Sequence, residues 1–135
     1  MDDIELSERY VAVWNEPDAA RRTAAVQALW HEDGRHLLQA PAEIRERAAA
    51  IGFPAATLEV HGHAALATRV TTAYVEFVAP GEYRFRRRGE PTRVGDAVRV
   101  AWDMVARDGT VAAGGVEFLL LDARGRIERD YQFID

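Results

Sequence analysis

The chain has 135 residues, 48% hydrophobic, 9% aromatic and 29% charged, which describes a single globular domain with one core. Its 22 acidic side chains against 17 basic ones leave a net charge of -5, so no basic surface invites nucleic acid or an anionic membrane. All the basic residues are Arg, Cys is absent and Ser7 is the only serine, which excludes lysine Schiff bases, P-loop lysines, thiol nucleophiles, Cys-bound metals, disulfides and a GxSxG elbow.

Leu6, Tyr10, Val13 and Trp14 recur at helical spacing and predict a first helix that stops near Asn15, before Pro17. Asp18 is placed to cap a second helix, with Ala25, Val26, Leu29 and Trp30 on its buried stripe, Arg21, Arg22 and Gln27 in water, and His31-Glu32-Asp33-Gly34 as its end. Arg35 to Gln39 reads as a brief strand, and Pro41 opens a small charged helix through Ala50, a surface cover that Gly52-Phe53-Pro54 closes. Thr57 to Val60 reads as another short strand. After Gly62 a third long helix is marked by Leu66, Val70, Ala73, Tyr74 and Phe77 and ends at Pro80-Gly81.

From Glu82 the period falls from about 3.6 to 2, predicting strands at 82 to 88, 97 to 106, 110 to 121 and 126 to 134. Asp108-Gly109 signals a two-residue hairpin and Asp122-Ala123-Arg124-Gly125 a longer one, so the last three strands form an antiparallel meander. Helices followed by strands make an α+β domain. With no apolar run near the roughly 18 residues that cross a bilayer, and an acidic Met1-Asp2-Asp3 start, the sequence reads as cytoplasmic and untargeted.

The first hairpin sets Arg99 across from Phe118 and Val100 across from Glu117, and the second sets Phe118 across from Asp130. Arg99, Asp103, Phe118, Asp130 and Gln132 then share one sheet face, while Val98, Val100, Trp102, Met104, Tyr131 and Phe133 share the other. A bulge at Gly114-Gly115 would move Glu117 onto the polar face. Two readings stand side by side. Either the Trp102 face is the core and the charges form a solvated or interfacial ion-pair cluster, or the polar face lines a pocket in which two carboxylates and an Arg perform acid–base chemistry.

The segments Tyr10-Val-Ala-Val-Trp14-Asn-Glu-Pro17-Asp18 and Leu29-Trp30-His-Glu-Asp33-Gly34 resemble the amino-terminal helical pair of SnoaL-like proteins in the nuclear transport factor 2-like superfamily. Val98 to Met104, the Gly114-Gly115 strand and Asp122 to Phe133 resemble its last three strands. The resemblance implies a cone of three main helices in a curved, mostly antiparallel sheet with a central apolar cavity, frequent homodimerisation through the sheet, and relatives that include polyketide cyclases, ketosteroid isomerases, limonene epoxide hydrolases and scytalone dehydratases as well as non-catalytic binding modules. Arg129-Asp130-Tyr131 matches the last-strand Arg-Asp-Tyr of the epoxide hydrolases. Arg99 and Asp103 lie four apart where those enzymes have a pair two apart, and their water-holding Tyr and Asn have no match around His36 and Leu38.

These readings converge on a cofactor-independent enzyme that moves protons on an apolar cyclic or polyketide-like ligand, with Asp103 as base, Asp130 as second acid or base, and Arg99 orienting a carboxylate or stabilising an oxyanion. His36, on the first strand, is a further acid or base, or a hydrogen-bonded structural histidine. Tyr10, Trp14, Trp30, Phe118 and Gln132 are the candidates for holding the ligand, although the first three also sit at core spacing. His61-Gly62-His63 has the form of a metal pair without a third ligand, so no metal is assigned. The other class of function is a non-catalytic ligand-binding or dimerisation module. An acid–base enzyme requires at least one carboxylate in the cavity wall, whereas the binding module has a wall of Trp, Met, Tyr and Val alone.

Overall fold

A computed structural model describes residues 1–135. Helix α1 (Asp3–Asn15) is capped by Asp2, whose carboxylate accepts the Glu5 N–H, and α2 (Ala19–Leu29) is capped in the same way by Asp18 through the Arg21 N–H. Strand β1 (Trp30–Gln39) follows without a loop, then α3 (Ala42–Ala50), β2 (Thr57–His61) and α4 (His63–Ala73), which unwinds into one π-helical turn over Tyr74–Val78. Strands β3 (Tyr83–Arg87), β4 (Thr92–Val94), β5 (Ala97–Ala106), β6 (Val111–Leu121) and β7 (Ile127–Ile134) complete the chain. No helix is long and apolar enough to cross a membrane.

The strands form one sheet in the order β2-β1-β7-β6-β5-β3, with β4 also paired to β5; β1 and β7 run parallel and every other pair antiparallel. Helices α1, α2 and α4 pack on its inner face, and the core joins Leu6, Tyr10, Val26, Leu66, Val70 and Trp30 to inner-face Val98, Val100 and Leu119. Helix α3 buries none of its side chains, as a surface cover should. This is the α+β arrangement of helices in a curved sheet that the sequence predicts.

Three local expectations need correction. Trp30 is fully buried, but it begins β1 instead of ending α2. Arg22 is buried too: its Nη1 donates to the Glu16 carbonyl at 2.7 Å and its guanidinium lies 4.5 Å from the centre of the Tyr74 ring, so a cation expected in water closes the α1–α2 connection. The third is the register of the last hairpin. Leu121 pairs with Ile127 as the turn predicts, but Leu120 pairs with Arg129, leaving Glu128 as one extra residue in β7. Every later pair is therefore displaced by one: Phe118 faces Tyr131, and Asp130 faces Leu119. Because side chains alternate with period two, that single residue moves Asp130 and Gln132 to the opposite face from the one expected relative to Arg99 and Asp103.

Candidate functional site

The inner face of the sheet is built in cross-strand rows. Parallel pairing of β1 with β7 sets His36 beside Asp130, and antiparallel pairing continues that row through Leu119 to Val98. The next row runs Leu38, Gln132, Glu117, Val100. Two rows thus bring a histidine, two carboxyl side chains and an amide together under the helices. His36, Glu117 and Asp130 are all essentially inaccessible to solvent.

Their hydrogen bonds are specific. The Tyr10 hydroxyl, delivered by α1, donates to Asp130 Oδ2 at 2.6 Å. Trp102 Nε1, on β5, donates to Glu117 Oε1 at 3.0 Å. With its proton on Nε2, His36 donates to Gln132 Oε1 at 3.1 Å, and the same nitrogen lies 3.7 Å from Asp130 Oδ2 and 3.9 Å from Glu117 Oε2. Three buried atoms are left without a partner: His36 Nδ1, Glu117 Oε2 and Asp130 Oδ1. A native core pairs nearly all its buried polar atoms, so a group of three orphans marks a place kept for chemistry or for a bound atom.

Burial sets the electrostatics. It pushes the Glu117 carboxyl well above the ordinary carboxylate range, and the negative charge of Asp130 pushes it further, because a second charge in the same dry site is unfavourable. Burial and the same Asp130 charge raise the Tyr10 hydroxyl, which stays protonated and available as a donor. Burial lowers His36, opposed by Asp130 and reinforced by the nearby Arg69 cation, so its neutral form is favoured. A carboxyl that holds its proton beside a neutral imidazole and a second carboxylate is a proton-transfer site. One ligand atom from each of His36, Glu117 and Asp130 falls within 4.8 Å of the others, a spacing that could also enclose a divalent cation. His36 and Asp130 each already hold a hydrogen bond, to Gln132 and Tyr10.

An apolar cavity of about 590 Å³ opens from this cluster, the size of a typical small-molecule site. Glu117, Gln132 and Tyr10 form its polar end; Trp14, Trp102, Phe77, Phe85 and Met104 give it aromatic and apolar walls. Pro41, Ala42 and Arg45 bring the start of α3 to its lining. His36 and Asp130 lie behind that lining, in contact with its members Glu117, Gln132 and Tyr10.

Of the residues singled out in the sequence, His36 and Asp130 meet in the cluster, and Tyr10, Trp14 and Gln132 line the cavity. Trp30 is core, 5.6 Å from the Tyr10 ring, and does not reach the cavity. Arg99, Asp103 and Phe118 are on the outer face, because their strands keep the expected alternation while β7 slips. There Asp103 is held by Arg88 at 3.0 Å and Arg86 at 3.3 Å, and Arg88 continues to Asp135 at 2.8 Å. This is the ion-pair reading of that face, with Asp103 itself buried beneath its half-exposed arginines and outside the lining of the cavity. Asp103→Asn is therefore expected to leave any activity of the cavity unchanged and to cost about 1 kcal/mol, a fall of roughly 2–4 °C in Tm, because its partners are half exposed. Thermal melts beside an activity assay check both halves.

His63 Nε2 bonds the Trp30 carbonyl at 2.8 Å and ties α4 to β1, and His61 is exposed. The sequence reading admits Glu117 to the pocket only through a bulge at Gly114-Gly115, which does not form, and it passes over Arg69. The usable signal for Glu117 is its place across from Val100, which puts a carboxylate on the apolar Trp102 face.

No protein-family model and no curated protein sequence matches the chain. Solved structures do. A provisionally named isomerase of the SnoaL-like family from Agrobacterium tumefaciens is 27% identical over 98% of this chain and 97% of its own, with a TM-score of 0.78. A provisionally named polyketide cyclase from Sinorhizobium meliloti shares the fold at 14% identity and TM-score 0.59, covering 96% of this chain and 94% of its own. A protein with a ketosteroid isomerase-like fold from Catenulispora acidiphila, in complex with trimethylamine, shares it at 13% identity and TM-score 0.61, covering 98% and 86%.

Proposed function

This chain is a SnoaL-like protein of the nuclear transport factor 2-like superfamily, and from that premise we propose that it is an enzyme moving a proton on an apolar cyclic ligand, with Glu117 as the group that carries it. The observation that supports this reading most is a buried carboxyl in the wall of a mostly apolar cavity, backed by His36 and Asp130. A wall of Trp, Met, Tyr and Val alone would favour a binding module.

In the simplest reaction Glu117, once ionised, takes a proton from the carbon beside a ligand carbonyl, leaving an enolate. The same carboxyl then returns the proton, to that carbon or to one conjugated with it, so no atom is gained or lost. Burial and Asp130 make Glu117 a stronger base than an ordinary carboxylate, nearer the pKa a base needs at neutral pH. Trp102 holds one carboxyl oxygen in place, Tyr10 fixes Asp130, and Gln132 fixes His36. The names given to the similar structures, isomerase and cyclase, belong to the same class of chemistry. No step requires a redox cofactor.

The test is exchange of the C1 protons of 2-tetralone with deuterated water, followed by NMR. The protein is expected to accelerate exchange at least a hundredfold over buffer. Binding of the ketone with no acceleration would transfer the cavity to the binding-module reading.

We also propose a homodimer formed through the outer sheet face. Phe118 and Phe133 stand exposed there with rings 5.6 Å apart, edge to face, an aromatic pair that a partner sheet would cover. Sedimentation at micromolar concentration is expected to show a dimer, and Phe118→Glu a monomer; a wild-type monomer would overturn it.

A further inference from the structure

Helix α4 carries its apolar residues at Leu66, Val70 and Ala73, all buried. Arg69 sits beside them at the i+3 position after Leu66, half-buried at the edge of the stripe that faces the core. A guanidinium there needs a reason. It lines the cavity, its Cζ lies 5.7 Å from the centre of the Trp14 ring, and its Nε is buried with no hydrogen-bond partner. Arg69 takes part in none of the ion pairs of the structure. The other charged groups at the cavity are accounted for differently: Arg45 and Glu76 are exposed, Asp135 is held by Arg88, and Glu117 is bonded to Trp102.

Arg69 is half-buried in the cavity wall, and the folded chain supplies no counter-charge for its cation. The cavity contents are the remaining source. We infer that the ligand of this cavity carries a carboxylate, bound by Arg69, on a flat apolar body that fills the space along Trp14 and Trp102. This deepens the reading of the cavity as a ligand site. Arg suits the role because its planar fork presents paired donors to a carboxylate, and the Trp14 ring supports its flat face. A neutral ligand filling the cavity would displace water from the guanidinium without replacing its hydrogen bonds, so the anchor selects as well as binds. The volume of about 590 Å³ holds a body of two or three fused rings.

The experiment compares 2-naphthoate with 2-naphthamide, equal in shape and different in charge, by calorimetry on the whole chain. Wild type is expected to bind the carboxylate at least tenfold more tightly than the amide. Arg69→Gln is expected to erase that preference through weaker carboxylate binding, and Arg69→Lys, which keeps the charge and loses the fork, to retain part of it. The inference is overturned if wild type shows no preference for the carboxylate, whether both probes bind alike or neither binds. It is equally overturned if the preference survives in Arg69→Gln. Proton exchange on neutral 2-tetralone by wild type reads the acid–base proposal separately. Exchange without carboxylate preference removes the Arg69 anchor alone, and carboxylate preference without exchange removes the acid–base step alone.

Discussion

Glu117→Gln is expected to lower proton exchange by a factor of 100 or more and, in the same protein, to raise the melting temperature at neutral and alkaline pH. The first effect follows from removing the only carboxyl that reaches the cavity from the buried cluster; general acid–base catalysis contributes about 10²–10⁴-fold. The second follows from linkage. Glu117 holds its proton more tightly when folded than when unfolded, so its contribution to stability is complete below the unfolded value near 4.5. That contribution is lost as pH rises through the raised folded value. Gln has the shape of the protonated acid, still accepts from Trp102 Nε1, and does not ionise. The gain in Tm over wild type should therefore be near zero at pH 4 and grow as pH rises. Exchange rates at saturating ketone and melts across pH 4 to 9 check both effects. His36 acts on the opposite side. Its folded pKa is lowered, so its contribution is present above about 6.5 and is lost as pH falls through the lower folded value, in wild type and variant alike. Undiminished exchange in Glu117→Gln would remove Glu117 from the role of proton carrier.

Gly115→Ala is expected to be the most damaging single methyl group that can be added to this sheet. Gly115 lies across β5 from Trp102, and the indole ring packs directly on it. A Cβ there would stand 2.7 Å from the Trp102 ring and 2.7 Å from the Phe133 carbonyl oxygen, and the latter is backbone that can yield only by moving β7. Such overpacking costs about 1–3 kcal/mol. Displacing the indole also breaks its bond to Glu117 Oε1, so proton exchange should fall together with stability, and tryptophan fluorescence should shift. Gly114→Ala is the matched control. Its Cβ meets the flexible ends of Arg88 and Asp135 at 2.9 Å and the Trp102 carbonyl at 3.0 Å, on the outer face away from the cavity. It is expected to destabilise less and to leave exchange intact. Equal loss of exchange in both variants would mean that Trp102 does not position Glu117. The glycine pair, which suggests a bulge in the sequence, is instead a flat seat for the indole.

Much of the scaffold is legible from spacing alone, because burial of an apolar stripe imposes its period on the sequence. Leu6, Tyr10, Val13 and Trp14 mark α1, and the change from a helical to an alternating period after Glu82 marks the meander. Even the β5–β6 register, Arg99 with Phe118 and Val100 with Glu117, agrees with expectation, but through two offsets that cancel. The loop holds three residues, Arg107 to Gly109, instead of two, and an extra Ala112 in β6 restores the count. The last hairpin has no second offset. Glu128 is inserted once, amid Glu128-Arg129-Asp130, where three successive charged residues give no apolar alternation from which the register could be read.

Local period and composition thus account for the main helices, the β5–β7 meander, the α+β class and the residue types available for proton transfer, but not for β4 or for the Trp30–Gly34 half of β1, which reads as the end of a helix. That Asp130 joins His36 and Glu117 while Asp103 and Arg99 face outward, and that Arg69 stands unpaired in the cavity wall, emerges only from the folded chain. Those outcomes depend on a one-residue bulge and on which groups approach from distant parts of the chain. A bulge inverts a strand's faces without changing its composition, and the absence of a partner can be seen only when all the neighbours are in place.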